Sequence, residues 1–120
     1  MKKSYFDSIP GVVKLASRVA IYVPSTTDTD HATDNRQQVA EVAAEFSAMF
    51  GGATATEARG YWVSQSAGLV GENVTIVYSN AAAEDIENHA AEIVGICQKI
   101  KREMKQEAVS LSICDCLYII

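Results

Sequence analysis

The sequence predicts an α+β sandwich: one antiparallel four-stranded sheet, two helices on a single face and a short strand at the C-terminus. Three observations predict it. Segments 18–23, 54–64, 73–79 and 108–113 alternate apolar and polar residues with the period of a half-buried strand. Segments 35–50 and 81–106 repeat apolar residues at spacings of three and four, the period of an amphipathic helix. The chain has 120 residues, 48% of them apolar and 21% charged, which suffices for one core without disulfide or metal staples.

Residues 1–17 form an appended arm, and 18–120 the single folded domain. In the arm Tyr5, Phe6, Ile9, Val12, Val13 and Leu15 keep no period and Pro10-Gly11 interrupts them; a short helical turn is expected at 12–17. Such an arm covers a sheet edge or the end of a core, or packs on a second copy of the chain. From Arg18 the pattern clears. Val19, Ile21 and Val23 share one strand face, and Pro24, which lacks a backbone donor, ends the run. Residues 25–34 are almost all loop formers. Asp34 and Gln37 have the spacing of a capping box, so the first helix is expected to start there. Its apolar stripe is Val39, Val42, Ala43, Phe46, Met49 and Phe50, and Gly51-Gly52 stops it.

The second strand, 54–64, is rich in Thr and aromatics, with Gly60 expected as a bulge. A loop containing Gly68 and Gly71 leads to the third strand, where Val74, Ile76 and Tyr78 face one way. The second helix is the strongest signal: Ile86, Ala90, Ile93, Cys97, Ile100 and Met104 are spaced 4, 3, 4, 3, 4 behind Asn80 as N-cap. Its acids (Glu84, Asp85, Glu87) stand first and its bases (Lys99, Lys101, Arg102, Lys105) last, as the helix dipole favours. Val109, Leu111 and Ile113 alternate in a fourth strand, and Leu117 to Ile120 are expected to pair back on it.

Short connections and right-handed crossovers turn this βαββαβ order into the ferredoxin-like split βαβ arrangement, with the strands ranked fourth, first, third, second. The sheet face away from the helices is expected to carry Ala20, Tyr22, Thr75, Val77, Ser110 and Ser112, with Trp62 or Tyr61. A face so mixed in polarity predicts a homodimer.

Five short stretches carry a resemblance: Tyr22-Val23-Pro24-Ser25-Thr26, Phe50-Gly51-Gly52-Ala53-Thr54, Gly60-Tyr61-Trp62, Val77-Tyr78-Ser79 and Lys105-Gln106-Glu107-Ala108-Val109. They resemble small bacterial proteins met on phage-derived and other mobile elements, a domain-of-unknown-function family with an R-x-x-x-Y first strand and a G-x-W second strand. The resemblance covers residues 18–120; the arm and Cys114-Asp115-Cys116 depart from it. It implies the fold above and an accessory role such as counteracting a host defence system, as anti-CRISPR proteins do.

The formal charge of −5 argues against a protein held on nucleic acid by a basic footprint, although Lys99 to Lys105 make one helix end basic. No run approaches the ~18 apolar residues of a membrane span, so the chain is read as cytoplasmic. Asp28, Asp30, His31 and Asp34 lack the spacing of a calcium loop, and Cys114-x-Cys116 lacks a second ligand pair for zinc, so neither metal nor cofactor is expected. His89, with Glu92 three residues on, reads as a boundary histidine in a local contact before it reads as an acid–base pair.

The binding candidates are Tyr22, Arg59, Tyr61, Trp62 and Tyr78, since an arginine among sheet aromatics holds either a protein partner or a planar ligand. Asp28, Asp30, Asp34, Glu84, Asp85 and Glu87 form an acidic surface suited to a basic partner such as a nucleic-acid-processing enzyme. The expected function is thus a non-enzymatic protein-interaction module. The alternative is a small-molecule-binding protein or enzyme of the dimeric α+β barrel type, with His89 added to Tyr22, Arg59, Tyr61 and Trp62.

Overall fold

The computed structural model describes residues 4–27 and 31–120. Its strands are β1 (Ser17–Pro24), β2 (Thr26–Thr27), β3 (His31–Ala32), β4 (Thr54–Ser64), β5 (Gly68–Ala81), β6 (Ser110–Ile113) and β7 (Cys116–Ile119). Its helices are α1 (Arg36–Phe50), α2 (Ala83–Asn88) and α3 (Ala90–Glu103). The main sheet is antiparallel in the order β4-β5-β1-β6-β7, which is the expected ferredoxin-like ranking with the terminal hairpin added beside β6. The two-residue strands β2 and β3 pair within the segment expected to be loop.

The core lies between one sheet face and the helices. Val19, Ile21 and Val23 from β1 meet Val42 and Phe46 from α1 and Ile93, Cys97 and Ile100 from α3, all buried. Burial of each such side chain contributes roughly 1.5–3 kcal/mol. Phe46 stacks edge-on with Phe50 at 5.8 Å between centroids.

Several local expectations change. The helix expected over 81–106 is two, broken at His89, whose backbone N–H reaches the carbonyls of both Asp85 and Ile86. Asn88 and His89 are both weak helix formers, and the break leaves Ile86 and Ile93 buried on one stripe. Helix α2 begins after Ala82, not Asn80. Helix α1 has no capping box: Asp34 Oδ1 accepts instead from the backbone N–H and the guanidinium of Arg36. In the N-terminal segment the helical turn is at Tyr5–Ser8, capped by the Ser4 hydroxyl, and none forms at 12–17.

No bulge occurs at Gly60, because β4 and β5 pair in one unbroken register from Thr54–Tyr78 to Ser64–Gly68. The loop expected before residue 73 is therefore strand, and the hairpin closes over residues 65–67. Register also corrects the faces. Ile21 sits opposite Val77 and Val23 opposite Thr75, so these turn towards the helices. Val74, Ile76 and Tyr78 lie on the open face beside Pro24, Tyr22 and Ala20. Trp62 shares that face, whereas Tyr61 points to the helix side.

The hairpin positions the site. Strand β1 pairs with β5 only from Val74 to Ala81, so Gly68–Asn73 and their partners Arg59–Ser64 project past Pro24 as a two-stranded arm. The radius of gyration is accordingly 16.3 Å, against about 13.5 Å for a compact domain of this length.

Candidate functional site

The base of the arm is built where the chain turns off β1. After Pro24 the Ser25 hydroxyl donates to the Asn73 carbonyl and the Thr26 hydroxyl to Glu72 Oε2 at 3.3 Å, which tie the β2–β3 hairpin to β5. From the other side, Gln106 follows α3 and its amide Nε2 donates to the carbonyl of Thr26 at 2.7 Å. Lys105, with φ of +52°, makes the turn that delivers Gln106.

Two clefts flank this junction. On the open face, a cleft of about 270 Å³ is lined by Tyr22, Trp62, Glu72, Val74, Gln106 and Ser110. At the edge of β5, a second of about 350 Å³ is lined by Ser25, Thr26, Arg59, Gly71, Glu72 and Asn73. Glu72 belongs to both. It is half-buried, and Trp62 beside it remains 45% exposed. Aromatic faces around one carboxylate attract an organic cation, and their flat rings stack on a heteroaromatic base.

Arg59 and Tyr61 lie across the helix-side face of the arm, over Gly71. The guanidinium carbon stands 5.7 Å from the Tyr61 ring centroid, and Nη1 donates to Asn73 Oδ1 at 3.0 Å. A Cβ on Gly71 would meet Arg59 Nη2 and Tyr61 Cε1 at 2.9 Å, so a glycine is what admits both side chains.

The structure thus brings Tyr22, Tyr61 and Trp62 to the lining of one cleft, and Arg59 to the adjoining cleft at the edge of β5. It separates Tyr78, which lies six residues, about 20 Å, along β5 from Glu72. There the Arg18 guanidinium stacks on it at 4.2 Å. His89 is also remote: its Nδ1 lies 3.1 Å from the Asp85 carbonyl and its ring packs on Phe50, in the helix layer.

The described residues of the acidic surface stand apart. Asp28 and Asp30 lie outside the described residues, and Asp34 is paired with Arg36 at 2.6 Å, which holds its carboxyl below the usual range. Glu84, Asp85 and Glu87 stand on α2, beyond the end of β5 opposite the arm. Cys114 and Cys116 flank the β6–β7 turn, where Cys114 takes φ of +54° and its N–H donates to the Arg18 carbonyl.

Glu72, Asn73, Gly71 and Gln106 escaped the sequence reading. Glu72 follows the two-residue alternation of Val74, Ile76 and Tyr78, and extending that strand past Gly71 would have found it. Gln106 carries no such signal, because its place depends on the turn at Lys105.

Among the described residues no helix is long and apolar enough to cross a membrane. No family model and no curated protein matches the chain, so the resemblance to a domain-of-unknown-function family is without support there. Solved structures do match. A phage SAM lyase in complex with S-methyl-5'-thioadenosine superposes with a TM-score of 0.64 at 20% identity, over 87% of this chain and 88% of that one. The same kind of enzyme in the apo state gives 0.64 at 19% identity, over 87% of each chain. These establish the fold, and they give the phage side of the resemblance a structural counterpart.

They also overturn the expected function. The architecture is one on which a small-molecule enzyme is built, and the arm base opens clefts among the binding candidates. The non-enzymatic, anti-CRISPR-like module and its protein partner, a nucleic-acid-processing enzyme, give way to the small-molecule alternative.

Proposed function

We propose that the chain is a small-molecule lyase of phage or mobile-element origin that takes S-adenosylmethionine in the open-face cleft and releases S-methyl-5'-thioadenosine. Residues 18–120 are the working domain in this reading and 1–17 an appended arm. The observation that carries it is Glu72 between Tyr22 and Trp62 at the arm base, on a fold shared with a phage SAM lyase.

The chemistry fits the residues. The sulfonium sulfur is cationic, and when its bond to the aminobutyrate carbon breaks, the bonding pair goes to sulfur and the thioether leaves neutral. A carboxylate oxygen of the same aminobutyrate chain supplies the electron pair for the new bond to that carbon and closes a lactone, so neither water nor an oxidant enters. Glu72 draws in the cation. Trp62 and Tyr22 stack the adenine and replace water around a charge that is being lost, which favours the less charged transition state.

Incubation with S-adenosylmethionine, followed by chromatography and mass spectrometry, tests the reading: S-methyl-5'-thioadenosine accumulates, and Trp62→Ala suppresses it. Glu72→Gln raises KM about ten-fold and lowers kcat less, because the charge it pairs with is already fading in the transition state. Absence of both turnover and calorimetric binding for either nucleoside refutes the proposal.

A further inference from the structure

The second cleft points to a recognition element for the amino-acid end of the ligand. Arg59 starts on the helix-side face of β4 and Glu72 on the open face of β5, yet both line the cleft at the free edge of β5 beyond Pro24. Arg59 pairs across the strands with Asn73, the neighbour of Glu72. Among the described residues, ion pairs join Lys14 to Asp7, Arg36 to Asp34 and Lys99 to Glu41, and none joins Arg59 to Glu72. One cleft therefore offers a cation and an anion that do not neutralise each other, the protein half of a zwitterion site.

The guanidinium is also held in a plane. Tyr61 lies against it, Asn73 takes one of its five N–H donors, and the missing side chain of Gly71 leaves it room to lie flat on the strand. Its remaining donors keep the forked geometry that matches a carboxylate two-point.

We propose that Arg59 is the carboxylate clamp of this site and that the chain selects ligands with an intact zwitterionic amino-acid end over their decarboxylated counterparts. Arg59 is a specificity-determining residue, Asn73 and Tyr61 position it, and Gly71 makes the arrangement sterically open. The inference rests on the S-adenosylmethionine reading above.

Titration calorimetry separates the two. Wild-type protein, Arg59→Gln, Arg59→Lys and Gly71→Ala are each titrated with S-methyl-5'-thioadenosine, S-adenosylhomocysteine and decarboxylated S-adenosylhomocysteine, thioethers that carry no sulfonium for the lyase to cleave. The wild type prefers the carboxylated ligand at least about ten-fold. Arg59→Gln brings that preference close to one while S-methyl-5'-thioadenosine affinity changes less than about two-fold, since that nucleoside has no carboxylate to lose. Arg59→Lys recovers part of the preference, keeping the charge without the fork. Gly71→Ala lowers it by displacing the guanidinium with the charge intact. A wild type that binds all three ligands but ignores the carboxylate, or an Arg59→Gln protein with unchanged preference, overturns the clamp and leaves the lyase reading standing. A wild type that binds none overturns both.

Discussion

The two halves of β5 carry similar side chains and do opposite work. From Val74 to Tyr78 the strand is flanked by β1 and β4 and backed by helices, and Val77 is fully buried. From Gly68 to Asn73 it has β4 alone, and Tyr61, Val63 and Leu69 are 62%, 77% and 69% exposed. Apolar residues thus build the core where a third strand and a helix layer close over them, and an exposed surface where those layers stop. The difference lies in what surrounds the strand, not in its composition.

The largest effect that probes this contrast is Phe46→Ala. Phe46 is fully buried against Phe50 and β1, and its loss should reduce stability by about 3–5 kcal/mol. Trp62→Ala, a larger truncation, should reduce it by less than about 1 kcal/mol, because Trp62 has no third layer above it. Urea unfolding of both variants gives the comparison, and equal losses would show that the arm is part of the cooperative core.

A smaller effect comes from Cys97. Burial raises its thiol from 9.0 to about 11. The unfolded chain releases this proton above about pH 9, while the folded chain holds it to about 11. Between those values the folded state binds more protons, so stability falls as pH rises, and the full contribution is present below pH 9. The loss should be about 1–2 kcal/mol over that interval. It is read as the difference in urea midpoint between pH 8 and pH 10.5, against Cys97→Ala measured in parallel. A wild type and Cys97→Ala protein with the same pH slope would place the thiol in water. Cys114 runs the other way: hydrogen bonds from the Arg18 and Ser17 region lower its thiol, so it should react first with a thiol-specific reagent at neutral pH.

The sequence made the covered half of the molecule legible and the open half only in part. Val19, Ile21 and Val23 alternate and the helix stripes repeat, because one side of each element meets a wall, and that constraint is written residue by residue. The parity of β5 was not, since Val74, Ile76 and Tyr78 are as apolar as Val77 and only pairing with β1 decides which set faces the helices. Trp62 and Arg59 drew notice by residue type. Glu72 did not, because a lone carboxylate near glycines reads as loop until the strand through it is known. Gln106 reaches Thr26 across eighty residues, and no local pattern encodes such a contact.

The smallest effect examines the tip of the arm. Val63 and Leu69 face each other across the hairpin, both largely exposed. A cross-strand apolar pair contributes roughly 0.2–1 kcal/mol, and here no helix adds to it. Val63→Thr and Leu69→Thr, singly and together, should therefore show a coupling within that range by a double-mutant cycle in urea. Their S-methyl-5'-thioadenosine affinity should match the wild type, because neither side chain lines either cleft. A coupling well above 1 kcal/mol would require a further layer over the tip, and the exposed arm would then be a buried element of a larger assembly.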